Sequence, residues 1–179
     1  EEKERLVRSL GARRTEGRVE VVFHPTYEVF NRGEISRERA RNELGIIEEN
    51  VLLFFGFVRK YKGLKYMLRA MPEILDKIDV RLVIAGEFWE GREFYQGLID
   101  ELAIRDRVMV VDRYIPNEEL PSYFCASDLV VLPYTSVTGS GLVQLAFGFD
   151  KPVVVSRIGA LEEVLKHKPR RADQAELLP

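Results

Sequence analysis

A doubly wound α/β fold, built on a mostly six-stranded parallel sheet with helices on both faces, is what this sequence predicts. Three observations predict it. Short apolar runs rich in Val, Leu and Ile recur along the chain. Each is followed by a segment with helical apolar spacing, and Gly, Pro or Asn punctuates the joins. Strands of this kind alternating with helices of about three turns are βαβ units, and parallel strands covered on both faces read as near-continuous apolar runs. Right-handed crossovers then wind the helices onto the two faces.

The strand candidates in chain order are Glu20–Phe23, Val51–Phe55, Arg81–Ala85, Val108–Val111, Leu129–Leu132 and Val153–Val155. The helix candidates between and after them are Ser36–Leu44, Leu64–Lys77, Arg92–Leu102, Glu118–Ala126, Ser140–Phe149 and Leu161–His167. Ser36 is placed to cap the first helix and Gly45 to end it, while Asn117, after Pro116, is placed to cap the fourth. Leu64, Met67, Leu68, Met71 and Ile74 share one helical face and are expected in the core. Residues 1–16 read as a charged helix or linker feeding in from an upstream domain. Residues 17–168 read as the folded domain and 169–179 as a polar C-terminal tail.

With 27 basic and 29 acidic residues the net charge is −2, so no global field favours nucleic acid or an anionic membrane. No apolar run approaches the roughly 20 residues of a membrane span. Cys125 stands alone, which excludes an internal disulfide and suits a reducing, cytoplasmic setting. His24 and His167 lie far apart and form no zinc spacing with it, so no metal is expected.

Two turns carry the chemistry. Gly56-Phe57-Val58-Arg59-Lys60-Tyr61-Lys62-Gly63 follows a buried strand and precedes a helix, with three cations between its end glycines. Taken alone, a charge run of this kind is usually just solvated. At the carboxyl end of a parallel strand it also suits an anionic ligand. It is neither GxxxxGK[ST] nor GxGxxG, which argues against a P-loop NTPase and an NAD enzyme. The second turn, Thr135–Gly141, is small and polar and precedes another helix, whose N-terminus offers free N–H groups. Together the two turns favour a diphosphate ligand. Gly86, directly after a buried strand, permits close approach of a ligand or a tight strand exit. Trp89 and Tyr95 either stack on a base or sugar ring or cover the core. No carboxylate pair marks a glycosidase, no His accompanies the Ser and Thr of the second turn as in a hydrolytic triad, and no Asp-x-Asp is present. A flavodoxin-like signalling domain would need an acidic cluster after its first strand, which residues 24–27 lack.

Taken in order, five segments resemble the C-terminal, donor-binding, Rossmann-like domain of GT-B glycosyltransferases, in the retaining group called family four (group one). They are F-G-F-V-R-K-Y-K-G-L at 55–64, I-A-G-E-F-W at 84–89, R-V-M-V-V-D-R-Y-I-P-N-E-E-L at 107–120, Y-F-C-A-S-D-L-V-V-L-P-Y at 123–134, and S-G-L-V-Q-L-A-F-G-F-D-K-P-V-V-V-S-R-I-G-A-L-E-E-V at 140–164. The resemblance implies a UDP-, GDP- or ADP-sugar as donor, retaining transfer without a metal or other cofactor, and an acceptor held by an N-terminal domain outside this chain. It implies that Lys62, with Gly56 and Gly63 around it, binds the diphosphate. Where many members carry Arg this chain has Phe57, and Arg59 is expected to supply the second cation. The resemblance places Gly139, Ser140 and Gly141 on the diphosphate, and Tyr114 and Ile115 where backbone groups read the base. Many members also carry two spaced Glu, one near the sugar and one on the ribose. Those places hold Val137 and Leu145 here, leaving Gln144 for the ribose and Thr138 or Ser140 for sugar hydroxyls. No catalytic residue is implied. The competing reading is a degenerate module that binds a nucleotide or partner without transfer.

Overall fold

The computed structural model describes residues 25–31, 33, 35–137, 139–166 and 175–178. Six parallel strands form one sheet in the order β3-β2-β1-β4-β5-β6. They are β1 (Asn50–Phe55), β2 (Val80–Ala85), β3 (Val108–Val111), β4 (Leu129–Leu132), β5 (Val153–Ser156) and β6 (Ala175–Leu178). The first five lie within one residue of the strands read from sequence. The candidate strand Glu20–Phe23 falls outside the described residues. β6 arises instead within the segment expected to be a tail: Ala175–Leu178 pairs with the free edge of β5, Val153 opposite Ala175. An edge strand can be this short because it needs one partner only.

The helices are α1 (Arg37–Leu44), α2 (Leu64–Leu75), α3 (Arg92–Glu101), α4 (Leu120–Ala126), α5 (Gly141–Gly148) and α6 (Gly159–Lys166). Ser36 caps α1 by accepting from the Arg39 N–H at 3.2 Å, and Gly45 ends it in the left-handed region. Asn117 does not cap α4. Pro116 instead opens a short 3₁₀ turn, Asn117–Glu119, and the α-helix starts only at Leu120.

Side-chain alternation along β1 sorts the core into two layers. Val51, Leu53 and Phe55 pack with Ala40 of α1, Phe124 of α4, Val143 and Ala146 of α5 and Leu161 of α6. Leu52 and Phe54 pack with Leu64, Met67, Leu68 and Met71 of α2 and with Leu98 and Ile99 of α3. Ile74 completes the α2 stripe, only partly buried. Fully burying a side chain of this size stabilises by about 1.5–3 kcal/mol, so both layers contribute substantially.

The chain runs outward from β1 to β3 and then returns to place β4 on the other side of β1. The carboxyl ends of β1 and β4 therefore flank the topological switch point, where such sheets open a crevice. The opposite, amino end is closed by ion pairs. Asp128, just before β4, accepts from the Val51 N–H at 2.8 Å and pairs with Arg37 and Arg41, each at 2.6 Å. Glu48, just before β1, is buried against Arg81 at the start of β2. Burial works to raise the Glu48 pKa, but the Arg81 hydrogen bond and charge, with backbone N–H groups, hold it below the ordinary carboxylate value.

Candidate functional site

At the carboxyl edge the exits of neighbouring strands touch through glycine. The Gly56 N–H donates to Ala85 O at 2.9 Å and the Gly86 N–H to Val111 O at 3.0 Å, which carries the sheet ladder past the strand ends. A Cβ on Gly86 would lie 2.4 Å from Gly56 O, and one on Gly63 would lie 1.8 Å from Pro133 O. No side chain fits at either place. The first turn is thus seated directly on the loop after β4. Tyr61 O fixes it further by accepting from the Thr135 N–H at 2.7 Å and the Thr135 hydroxyl at 3.2 Å.

The two turns read from sequence meet over Gly56. A Cβ there would stand 3.0 Å from Lys62 Nζ and 3.4 Å from Leu142 Cδ1, in the first turn of α5. Lys62 closes a 3₁₀ turn, Lys60–Lys62, that folds its side chain inward to 7% exposure. Among the described residues its ammonium forms no ion pair, the nearest ring being Tyr134, with its centroid 6.0 Å away. Burial, and secondarily the Arg59 charge, lower the Lys62 pKa to about 8. Facing it, the N-terminus of α5 has no side-chain cap, so first-turn N–H groups are available with the positive end of the helix dipole.

Tyr134 joins the two arms. Its buried ring lies beside Lys62 and meets Tyr61 edge-on, and the Ser140 side chain of the second turn acts electrostatically on its hydroxyl. Burial pushes the phenol far above its ordinary pKa, so it stays neutral.

A cavity of about 370 Å³ opens over this meeting point and extends along the edge toward β3. Of the residues expected to bind, Gly56, Phe57, Lys62, Gly86, Tyr114, Ile115 and Gly141 line it. Gly63, Gly139, Ser140, Gln144 and Arg59 do not line it. Gly63 acts by letting the turn sit on Pro133, and Ser140 stands at the N-terminal end of α5. The Arg59 guanidinium lies 3.9 Å from the centre of the Trp89 ring, which in turn packs on Phe57 at 4.7 Å. Arg59 therefore acts on Lys62 through space rather than from the cavity wall. The Gln144 side chain is buried, and its backbone carbonyl accepts from the Tyr27 N–H at 3.3 Å. Thr138 lies outside the described residues, as does His24. Tyr95 belongs to the core, against Phe88 and Phe94.

Sequence reading missed two walls of the cavity. Tyr27 and Phe30 line it from a segment far upstream, docked on α5 by the Tyr27 bond and by Asn31 Nδ2 donating to Gly148 O at 3.1 Å. Gly148 carried a signal, since a Cβ there would meet the Tyr27 backbone at 2.6 Å. Glu87 and Asn117 also line the cavity, near Tyr114 and Ile115. Among the described residues no cluster of His, Cys, Asp and Glu is arranged to hold a metal, and no helix is long and apolar enough to cross a membrane.

The family model for glycosyl transferases group 1 matches residues 36–172. The chain belongs to that family. It is 34% identical over 130 residues to an uncharacterised glycosyltransferase of Methanocaldococcus jannaschii, covering 72% of this chain and 33% of that protein. It is 32% identical over 142 residues to a D-inositol 3-phosphate glycosyltransferase of Corynebacterium diphtheriae, covering 75% of this chain and 33% of that protein. The chain thus spans about a third of the length of the curated relatives it matches. Among solved structures, Anabaena HepE in complex with UDP and glucose aligns with a TM-score of 0.71 at 20% identity, over 89% of this chain and 42% of that one. That likeness establishes the GT-B Rossmann-like fold.

Proposed function

We propose that this chain is the donor-binding domain of a retaining glycosyltransferase. It binds a nucleoside diphosphate sugar, with the diphosphate over Gly56 between Lys62 and the N-terminus of α5. The observation that carries this reading is the buried Lys62 ammonium, without an ion pair among the described residues, meeting an uncapped helix N-terminus at the switch point. Burying a cation without a counter-ion is costly, and a site that does so is organised for an incoming anion. As the bond between sugar and diphosphate breaks, negative charge grows on the leaving group. A fixed ammonium and fixed N–H groups in a partly desolvated cleft stabilise that charge without reorganising. The acceptor is supplied by a further domain of the same protein, closing over the cleft. The single thiol, Cys125, free in the fold, supports a cytoplasmic setting.

Calorimetric titration of this chain with UDP, GDP, ADP and inorganic pyrophosphate tests the reading. Binding of at least one nucleoside diphosphate is expected, weakened about tenfold or more by Lys62→Ala, with no sugar transfer by the chain alone. Absence of all binding, or binding indifferent to Lys62, refutes it. The second reading is a non-catalytic nucleotide-binding module. It is favoured by the apolar Val137 and Leu145, at the places where the family resemblance implies carboxylates. Turnover of a nucleotide sugar by the full-length protein separates the two.

A further inference from the structure

We propose that Glu87 binds the vicinal hydroxyls of the ribose next to the diphosphate, a role that rests on the nucleotide reading above. Along the carboxyl edge the strand exits follow the order β3, β2, β1, β4, with neighbours about 4.8 Å apart. The anion position lies over Gly56, at the β1 exit facing β4. Glu87 leaves β2, one strand over, and Tyr114, Ile115 and Asn117 follow β3, two strands over. Phosphate, ribose and base of a nucleotide succeed one another in the same direction and at a comparable step. A nucleotide laid along this edge from Gly56 toward Tyr114 brings its ribose to Glu87.

Three features suit Glu87 to that place. Among the described residues it is the single carboxylate lining the cavity, and it forms no ion pair. Its backbone is fixed on both sides. Glu87 O accepts from the Val58 N–H at 2.9 Å, and the next N–H, of Phe88, donates to Asp112 Oδ1 at 2.9 Å, with Arg92 holding the other Asp112 oxygen at 3.0 Å. The wall contributed by α5 offers Leu142 and Leu145, which cannot accept a hydrogen bond from a sugar. A carboxylate takes both O–H groups of a vicinal diol at once, and charge-assisted bonds of this kind are the stronger ones.

Titrations of the chain with UDP, 2′-deoxyuridine diphosphate and inorganic pyrophosphate test the assignment, because pyrophosphate has no ribose. Glu87→Ala is expected to lower the ratio of UDP to pyrophosphate affinity about tenfold. The unsubstituted chain is expected to prefer UDP to its 2′-deoxy form, and Glu87→Ala to abolish that preference. An unchanged ratio, or a 2′-deoxy preference that survives Glu87→Ala, overturns the role of Glu87 while leaving the diphosphate site standing. Absence of binding to both UDP and pyrophosphate, or binding of both that ignores Lys62→Ala, overturns the diphosphate site and Glu87 with it.

Discussion

Replacing Lys62 by Met is expected to stabilise the ligand-free chain while removing its affinity for diphosphates. The Lys62 pKa falls from the ordinary 10.5 to about 8, with burial as the first cause. At about 1.4 kcal/mol per factor of ten in proton affinity, holding the charged form in the fold costs on the order of 3 kcal/mol at pH 7. Methionine has a similar length and an apolar head, so it fills the same space without that cost, and a gain of about 1–3 kcal/mol follows. The sign with pH is fixed by the direction of the shift. Between about pH 8 and the ordinary lysine value the unfolded chain holds the proton that the folded chain has released. The stability of the unsubstituted protein therefore rises with pH through that window, and the cost is fully present below it. Urea unfolding at intervals from pH 7 to pH 10.5 is the assay. The advantage of Lys62→Met should be largest at pH 7 and shrink toward the top of the range. A variant less stable than the parent at pH 7, or a difference that does not change with pH, refutes the argument. The same equilibrium acts on binding, because a diphosphate recruits the charged form and its affinity falls as pH rises past about 8.

Two further substitutions probe how the arms of the site are held. Gly63→Ala should destabilise by at least about 3 kcal/mol in urea unfolding, since its φ of 73° is left-handed and its Cβ would stand 1.8 Å from a backbone carbonyl. A variant with parental stability would mean that the seat on Pro133 is not as tight as described. Tyr134→Phe removes the hydroxyl near Ser140 but keeps the ring beside Lys62, so pyrophosphate affinity in calorimetry should stay within about threefold of the parent. A larger loss would show that the hydroxyl, rather than the ring, supports the anion position.

What the sequence made legible, and what it hid, follows from the range of the interactions involved. Val51–Phe55 and Arg81–Ala85 could be read as strands because a parallel strand covered on both faces must be apolar at successive positions, a strictly local requirement. Ser36 and Gly45 were legible for the same reason, since a cap bonds within its own turn. Asn117 failed as a cap because Pro116 sets up a competing 3₁₀ turn one step earlier. β6 was invisible because Ala175–Leu178 is short and its strand state comes from pairing with β5. The site divides along the same line. Lys62, which lines the cavity, could be singled out because its turn announces itself with glycines and charge. The displacement of Arg59 onto Trp89 could not be found, because the ring that holds it leaves a different strand. Gly86 and Gly148 are the intermediate case. A glycine at a strand exit or in an apolar helix says that something approaches too closely for a Cβ, but not what approaches. At Gly86 it is the carbonyl of Gly56, and at Gly148 it is the backbone of Tyr27, more than a hundred residues upstream. The half of the cavity proposed to bind the anion is thus written into two local turns. The other walls are long-range: Glu87 is brought there by the order of strands in the sheet, and Tyr27 with Phe30 by an upstream segment docked on α5. The proposed ligand class therefore rests on local turns, and a choice among its members on the fold.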